Sequence, residues 1–326
     1  MSFAFIKGQD TAVQMLKNSI QSRHISHAYI FSGPEGVGKR TTALAFAQGI
    51  NCLQPSLNLD ERCSCLSCRK SMGGNHPDIE IIRPEGLSIK IDQVRTLRNK
   101  VFYKCYESKF KVIIIDDAHL FTIEAANSLL KVLEEPPEKT IFILITAESQ
   151  QLPDTIVSRC QQIQFHPLAV SCIIELLAES FPQHLERLPL VAGLARGSLT
   201  RAAGLLEDGQ LLEKRTDTIN LLKRVFETTP GEILLWCEKW DKDKQNIKII
   251  FELIQFWYRD LLIWRTTSRE DLLINQDYLV DIKNNKHTLS GIQKCLTLIN
   301  QCRKHLDFNA NPRLVLEVFL LRTTTN

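Results

Sequence analysis

Residues 27–50 constrain this chain more than any other stretch. An apolar run, HAYIFSG, passes through a glycine-rich loop, GPEGVGKR, into the helix-forming TTALAFAQGINC. A short buried strand leading straight into a helix is the opening unit of a parallel sheet, and the rest of the first half repeats it. Residues 12–22 place Val13, Leu16 and Ile20 at helical spacing. HPDIEII reads as a second strand, and KIDQVRTLRNKV as a helix with Asp92 at its N-cap and Val94, Leu97 and Val101 on one face. KVIIIDDAH is a third strand, and EAANSLLKVLEEPP a helix stopped by Pro136 and Pro137. TIFILITA and CQQIQF supply a fourth and a fifth strand. The alternation predicts an α/β domain whose parallel sheet is covered on both faces.

After His166-Pro167 the strands stop. SCIIELLAES and LVAGLARGSLTRAAGLL read as helices of a small second region ending near Glu207. From about Leu211 long helical stretches dominate, among them IKIIFELIQFWYRDLLIW, whose apolar residues cover more than one face, as in a bundle core or a subunit interface. The expected organisation is α/β followed by all-α, in three domains at 1–166, 167–210 and 211–326. That suits 326 residues.

Composition excludes several classes. With 44% hydrophobic and 24% charged residues the chain is neither collagen-like nor disordered. Its apolar runs are too short to span a bilayer, and its start lacks the layout of a secretory signal, so a cytoplasmic setting is expected. Ten cysteines should then be reduced. Charge is flat: residues 211–326 hold 18 basic and 15 acidic side chains, which leaves 22 of each in residues 1–210 from totals of 40 and 37. A free-standing DNA binder usually concentrates its basic residues, so any nucleic acid is expected to be shared with partners.

The loop Gly33-Pro34-Glu35-Gly36-Val37-Gly38-Lys39 has the spacing and the strand–helix setting of a phosphate loop. Gly36 and Gly38 let backbone N–H groups curl around phosphate oxygens, and Lys39 would reach the β- and γ-phosphates. The residue after Lys39 should offer a hydroxyl to Mg²⁺, but it is Arg40. Thr41 follows, rotated by about 100° on a helix, where such loops approach the α-phosphate. In KVIIIDDAH, Asp116 stands where a carboxylate holds Mg²⁺ through water. Asp117 replaces the usual longer glutamate that positions the attacking water, or else caps the helix that follows. ATP with Mg²⁺ is therefore possible at a degenerate loop, with hydrolysis compromised.

With both motifs in place, the order and spacing of HAYIFSGPEGVGKR, NHPDIEII, IDQVRTLR, KVIIIDDAH, ANSLLKVLEEPP and DTIVSRCQQIQF resemble the clamp-loader subunits of bacterial DNA polymerase III, a branch of the AAA+ family. The resemblance is dense over about residues 5–205 and thin beyond. It implies an AAA+ P-loop core, a helical lid and a C-terminal helical collar that packs with other subunits, gamma/tau and delta, into an assembly using ATP to load a sliding clamp on primed DNA. Arg159, in Ser158-Arg159-Cys160, corresponds to the arginine pointed at ATP on a neighbouring subunit. Thr146 matches a polar γ-phosphate sensor, and Arg201 lies near the second-domain sensor arginine. Cys52, Cys63, Cys65 and Cys68 fall in an insertion, about 52–72, that carries four zinc-binding cysteines in this family, although Cys63 and Cys65 are separated by one residue where two are usual. The remaining reading is free thiols.

Three functions compete. A rigid subunit supplying Arg159 is favoured. An active gamma/tau-type ATPase is opposed by Arg40, by Asp117 and by the lack of a tau-length extension. A zinc-dependent DNA-binding module is opposed by the flat charge. No polymerase active site is visible.

Overall fold

The computed structural model describes residues 3–54, 59–61, 63–207, 210–240 and 244–324. Residues 55–58 and 62 of the expected cysteine insertion lie outside the described residues. The chain divides into two compact units, Met1–Ala203 and Gly204–Asn326.

In the first unit α1 (Asp10–Ser22) precedes β1 (Ala28–Ser32), α2 (Lys39–Ile50) and the short α3 (Leu66–Met72). Then come β2 (Ile79–Ile82), α4 (Ile91–Val101), β3 (Lys111–Ile115), α5 (Ile123–Glu134), β4 (Thr140–Thr146), α6 (Asp154–Val157) and β5 (Gln161–Gln164). The five strands form one sheet in the order β2-β3-β4-β1-β5, every neighbouring pair parallel. Alternate side chains of the apolar strands enter two separate cores. Tyr29, Phe31, Ile114, Ile143 and Ile145 pack towards α1 and α2, while Ile30, Ile113, Ile115, Phe142 and Leu144 pack towards α4 and α5. Burial on both faces is why these strands read as continuous apolar runs rather than as alternating ones. Each buried Ile, Leu or Phe side chain contributes roughly 1.5–3 kcal/mol.

Two helix starts differ from expectation. Asp92 lies inside the first turn of α4, and the helix begins after Lys90, whose N–H donates to Gln93 Oε1 at 3.1 Å. Asp117 makes no side-chain cap: it takes a left-handed conformation at φ 51° before a single 3₁₀ turn, and α5 is capped instead by Thr122, whose Oγ1 accepts from Ala125 N at 3.2 Å. A left-handed residue cannot aim its carboxylate back along the next helix, so the nearby threonine caps it.

Beyond Pro167 no strand occurs among the described residues. Helices α7 (Val170–Ser180), α8 (Leu188–Leu194) and α9 (Leu199–Glu207) follow, the last two separated by left-handed Arg196 and Gly197. A Cβ on Gly197 would lie 2.4 Å from Pro167 Cβ, so only glycine permits that break.

The second unit is helical: α10 (Leu211–Lys223), α11 (Pro230–Trp240), α12 (Lys244–Thr267), α13 (Leu279–Lys283), α14 (Leu289–Asp307) and α15 (Pro312–Thr324). The apolar stretch of α12 is its core, with Phe251, Ile254, Trp257, Tyr258 and Leu261 buried among side chains of α11, α14 and α15. Cys237, Cys295 and Cys302 sit there as small apolar residues. Among the described residues no helix is long and apolar enough to cross a membrane.

One polar group in this core carries a pH dependence. His287 is 2% exposed, against Phe226 and with Nε2 3.4 Å from Tyr258 Oη. Burial pushes its pKa down to about 4, from 6.5 for an ordinary histidine. The unfolded chain therefore takes up a proton that the folded unit refuses. Stability should be constant above pH 6.5 and fall by roughly 3 kcal/mol as pH drops towards 4. Urea unfolding followed through the tryptophans should show this slope, and His287→Phe should remove it.

Candidate functional site

The parallel sheet puts every strand's carboxyl end on one edge, where ligands of open α/β sheets bind. The loop after β1, the acids after β3 and Thr146 at the end of β4 meet there. Gly33 N donates to Thr146 O at 3.3 Å, and Ser32 pairs in register with Thr146. A Cβ on Gly33 would lie 2.3 Å from the Phe165 carbonyl oxygen, so the loop can leave β1 beside β5 only through a glycine.

The loop closes on itself and on the region after the sheet. Lys39, 8% exposed, donates from Nζ to the carbonyls of Gly33 and Pro34, at 2.5 and 2.6 Å. Burial lowers its pKa, against the opposing charges of Asp117, Glu35 and Asp116. Gly36 O accepts from Leu199 N at 2.9 Å, and a Cβ on Gly36 would come within 2.2 Å of Ser198 Oγ. Gly38 adopts φ 99° with open space where its Cβ would be, and its carbonyl accepts from both N and Oγ1 of Thr42. Buried Gln9 completes the frame: its amide donates to His166 O at 2.7 Å and to Val37 O at 3.4 Å, and its carbonyl accepts from His166 N at 3.0 Å.

The other expected residues divide. Asp116 and Arg40 come together, with Nη1 3.8 Å from Oδ2. Burial and then the Asp117 charge raise the Asp116 pKa, while Arg83 and Lys39 oppose the rise. Thr41 is exposed on α2. Thr146 is fully buried, and its hydroxyl donates to Glu148 O at 2.9 Å. Arg201 lies in the first turn of α9, its N–H donating to Ser198 Oγ at 3.2 Å. Arg159 stands apart from the loop, 37% exposed, held by Glu134 at 2.8 Å and by the Thr155 carbonyl at 2.9 Å.

Gln9, Ser198 and Glu134 carried no sequence signal, because each acts on a partner at least 25 residues away. A charge signal was legible and is hidden by half-chain totals: residues 90–111 hold seven basic and two acidic side chains.

The ligand sulfurs of Cys52, Cys63, Cys65 and Cys68 all lie within 4.8 Å of one another, close to the ~3.8 Å separation of thiolates around a tetrahedral ion. The short Cys63–Cys65 spacing is therefore compatible with a shared metal ion. Burial would raise the Cys65 thiol, but N–H groups of Cys68 and Leu53 outweigh it and hold it at about 6, so one thiolate is ready at neutral pH. The cluster is anchored by Asn51, which exchanges two hydrogen bonds with the backbone of Phe110, and by Ser67, which lies 3.1 Å from His76 Nε2. Asp78 continues the anchorage, accepting from the N–H groups of Tyr106, Glu107 and Ser108 and from the Ser108 hydroxyl.

Gly36→Ala should cost about 1–3 kcal/mol, through left-handed strain and the collision with Ser198. Gly204→Ala, whose Cβ meets nothing, should be neutral or mildly stabilising. Thermal unfolding of the two variants checks the contrast.

Residues 8–169 match the profile described as DNA polymerase III, delta subunit, and residues 209–325 match its C-terminal counterpart. DNA polymerase III subunit delta' of Bacillus subtilis is 33% identical over 321 residues, covering 96% of this chain and 95% of its own length. Subunit tau of the same organism is 29% identical over 98% of this chain, which spans 61% of tau. Among solved structures, a gamma subunit-related protein of Thermotoga maritima is 21% identical with a TM-score of 0.49, over 96% of this chain and 99% of its own. Two profiles that together span both units, and a relative one third identical along nearly its whole length, establish that the chain belongs to the delta family of DNA polymerase III clamp-loader subunits.

Proposed function

We propose that this chain is a non-motor, delta'-type subunit of a clamp loader, which presents Arg159 to a nucleotide held by a neighbouring subunit. The observation that carries the reading is the state of that arginine. Its guanidinium is part-exposed and oriented by Glu134 and Thr155, well placed to reach across a subunit boundary. An arginine donated in trans stabilises charge on the transferred phosphoryl group.

The phosphate loop supports the non-motor assignment. Arg40 takes the place of the metal-binding hydroxyl, and Asp117 the place of a longer acid. Residues 167–210 are read as a lid, supported by the hydrogen bond from Leu199 N to Gly36 O. Residues 211–326 are read as the collar that joins the gamma/tau and delta subunits. The basic excess over residues 90–111 supports a share in holding primed DNA, and the sliding clamp completes the partners. The four cysteines are read as a structural Zn²⁺ site with all positions closed to substrate. Soft thiolates in a tetrahedral set suit zinc, and so short an insertion buries little apolar surface of its own.

In a loader assembled with the other subunits, Arg159→Ala should lower DNA-stimulated ATPase by about 10³-fold or more while leaving assembly intact. Unchanged ATPase would rule out the arginine role. Turnover of Mg-ATP by the isolated chain, abolished by Lys39→Ala, would favour the motor reading instead. Metal analysis should find about one zinc per chain, and chelation should lower the melting temperature of the first unit. A chain free of zinc, melting identically with and without chelator, would exclude the structural site.

A further inference from the structure

The carboxylate that should hold a divalent ion already has a cation beside it. Arg40 Nη1 lies 3.8 Å from Asp116 Oδ2, and that side chain is only 18% exposed. The charges of Arg83 and Lys39 act on the same carboxylate. A Mg²⁺ entering here would have to displace Arg40 and sit close to two further positive charges, each repelling it in a half-buried setting. The residue that normally offers the ion a hydroxyl is the one carrying the competing charge.

The phosphate-gripping part of the loop is nevertheless intact. Gly36 and Gly38 hold the left-handed conformations, at φ 73° and 99°, that turn successive N–H groups inward. The face above Gly38 is open, and Lys39 begins a helix of 12 residues whose N-terminal charge favours an anion. Arg40 is 42% exposed, so its planar fork is free to turn from Asp116 onto phosphate oxygens.

We propose that the loop binds the triphosphate of a nucleotide without a divalent cation, Arg40 supplying the positive charge that Mg²⁺ supplies in a hydrolysing site. The bound nucleotide is then a structural ligand that stays whole, because no ion orients water or neutralises the leaving group. This rests on the reading above only in assigning the loop to phosphate; Arg159 acts on another subunit's nucleotide, and its test is independent.

Titrate a fluorescent ATP analogue into the full chain, once in EDTA and once in millimolar Mg²⁺. The two affinities should agree within about threefold, a difference under 1 kcal/mol. Inorganic tripolyphosphate should displace the analogue in both conditions, and Lys39→Ala should abolish binding. Arg40→Thr, which restores the hydroxyl and removes the charge, should weaken binding in EDTA about tenfold and make it strengthen with Mg²⁺. Affinity rising tenfold or more on adding Mg²⁺ to the unaltered chain overturns the proposal, as does the lack of saturable binding in either condition. Failure of tripolyphosphate to compete overturns it too. Should Arg40→Thr not fold, the comparison on the unaltered chain still decides.

Discussion

The candidate site depends on one constraint: β1 is buried on both faces and bonded along both edges, to β4 on one side and β5 on the other. A strand so enclosed can release its chain only at the carboxyl end, so GPEGVGKR is delivered to the edge where β3 and β4 also finish. Gly33 makes this exit possible by passing within reach of the Phe165 carbonyl, where any side chain would collide. The Gln9 amide then ties the loop to the backbone of His166, just past β5. Loop, sheet and the start of the helical region thus share one hydrogen-bonded frame.

Within that frame the chemistry is decided by charge placement. Lys39 is turned inward onto loop carbonyls, while Arg40 faces Asp116. An intact motor keeps an acid and a hydroxyl bare for an ion; here an arginine shares the acid's surroundings. The loop retains its shape for holding phosphate, and its metal chemistry is displaced by a side chain of its own. Arg159, remote from the loop and steadied by Glu134, is the complementary half of such a division of labour between subunits.

The cysteine insertion shows how a small appendage can be fixed without a large core. Asn51 and Ser67 bind it to the backbone of Phe110 and to His76, and Asp78 in turn gathers the N–H groups of residues 106–108. Burial of the Asp78 carboxylate is offset by those donors, which hold its pKa below the usual carboxylate range. The insertion and the turn before β3 therefore brace each other, and both border the basic segment that follows α4.

The sequence by itself determined the elements and the motif. Apolar runs in β1, β3 and β4 could only be strands covered on both faces, and the glycine spacing of the phosphate loop was legible because backbone conformation is a local property. The substitution at position 40 and the four-cysteine insertion were equally plain, as was the family. Local rules failed where two nearby residues could each begin a helix. Asp92 and Asp117 are good caps by type, yet Lys90 and Thr122 begin the helices because the chain turns there. Only the tertiary structure decided what meets what. Arg40 finds Asp116 across 76 positions, Gln9 finds His166 across 157, and Gly36 meets Ser198, because the strand order β2-β3-β4-β1-β5 brings the ends of distant elements onto one edge. That order follows from the packing of whole faces, which no local window of sequence contains.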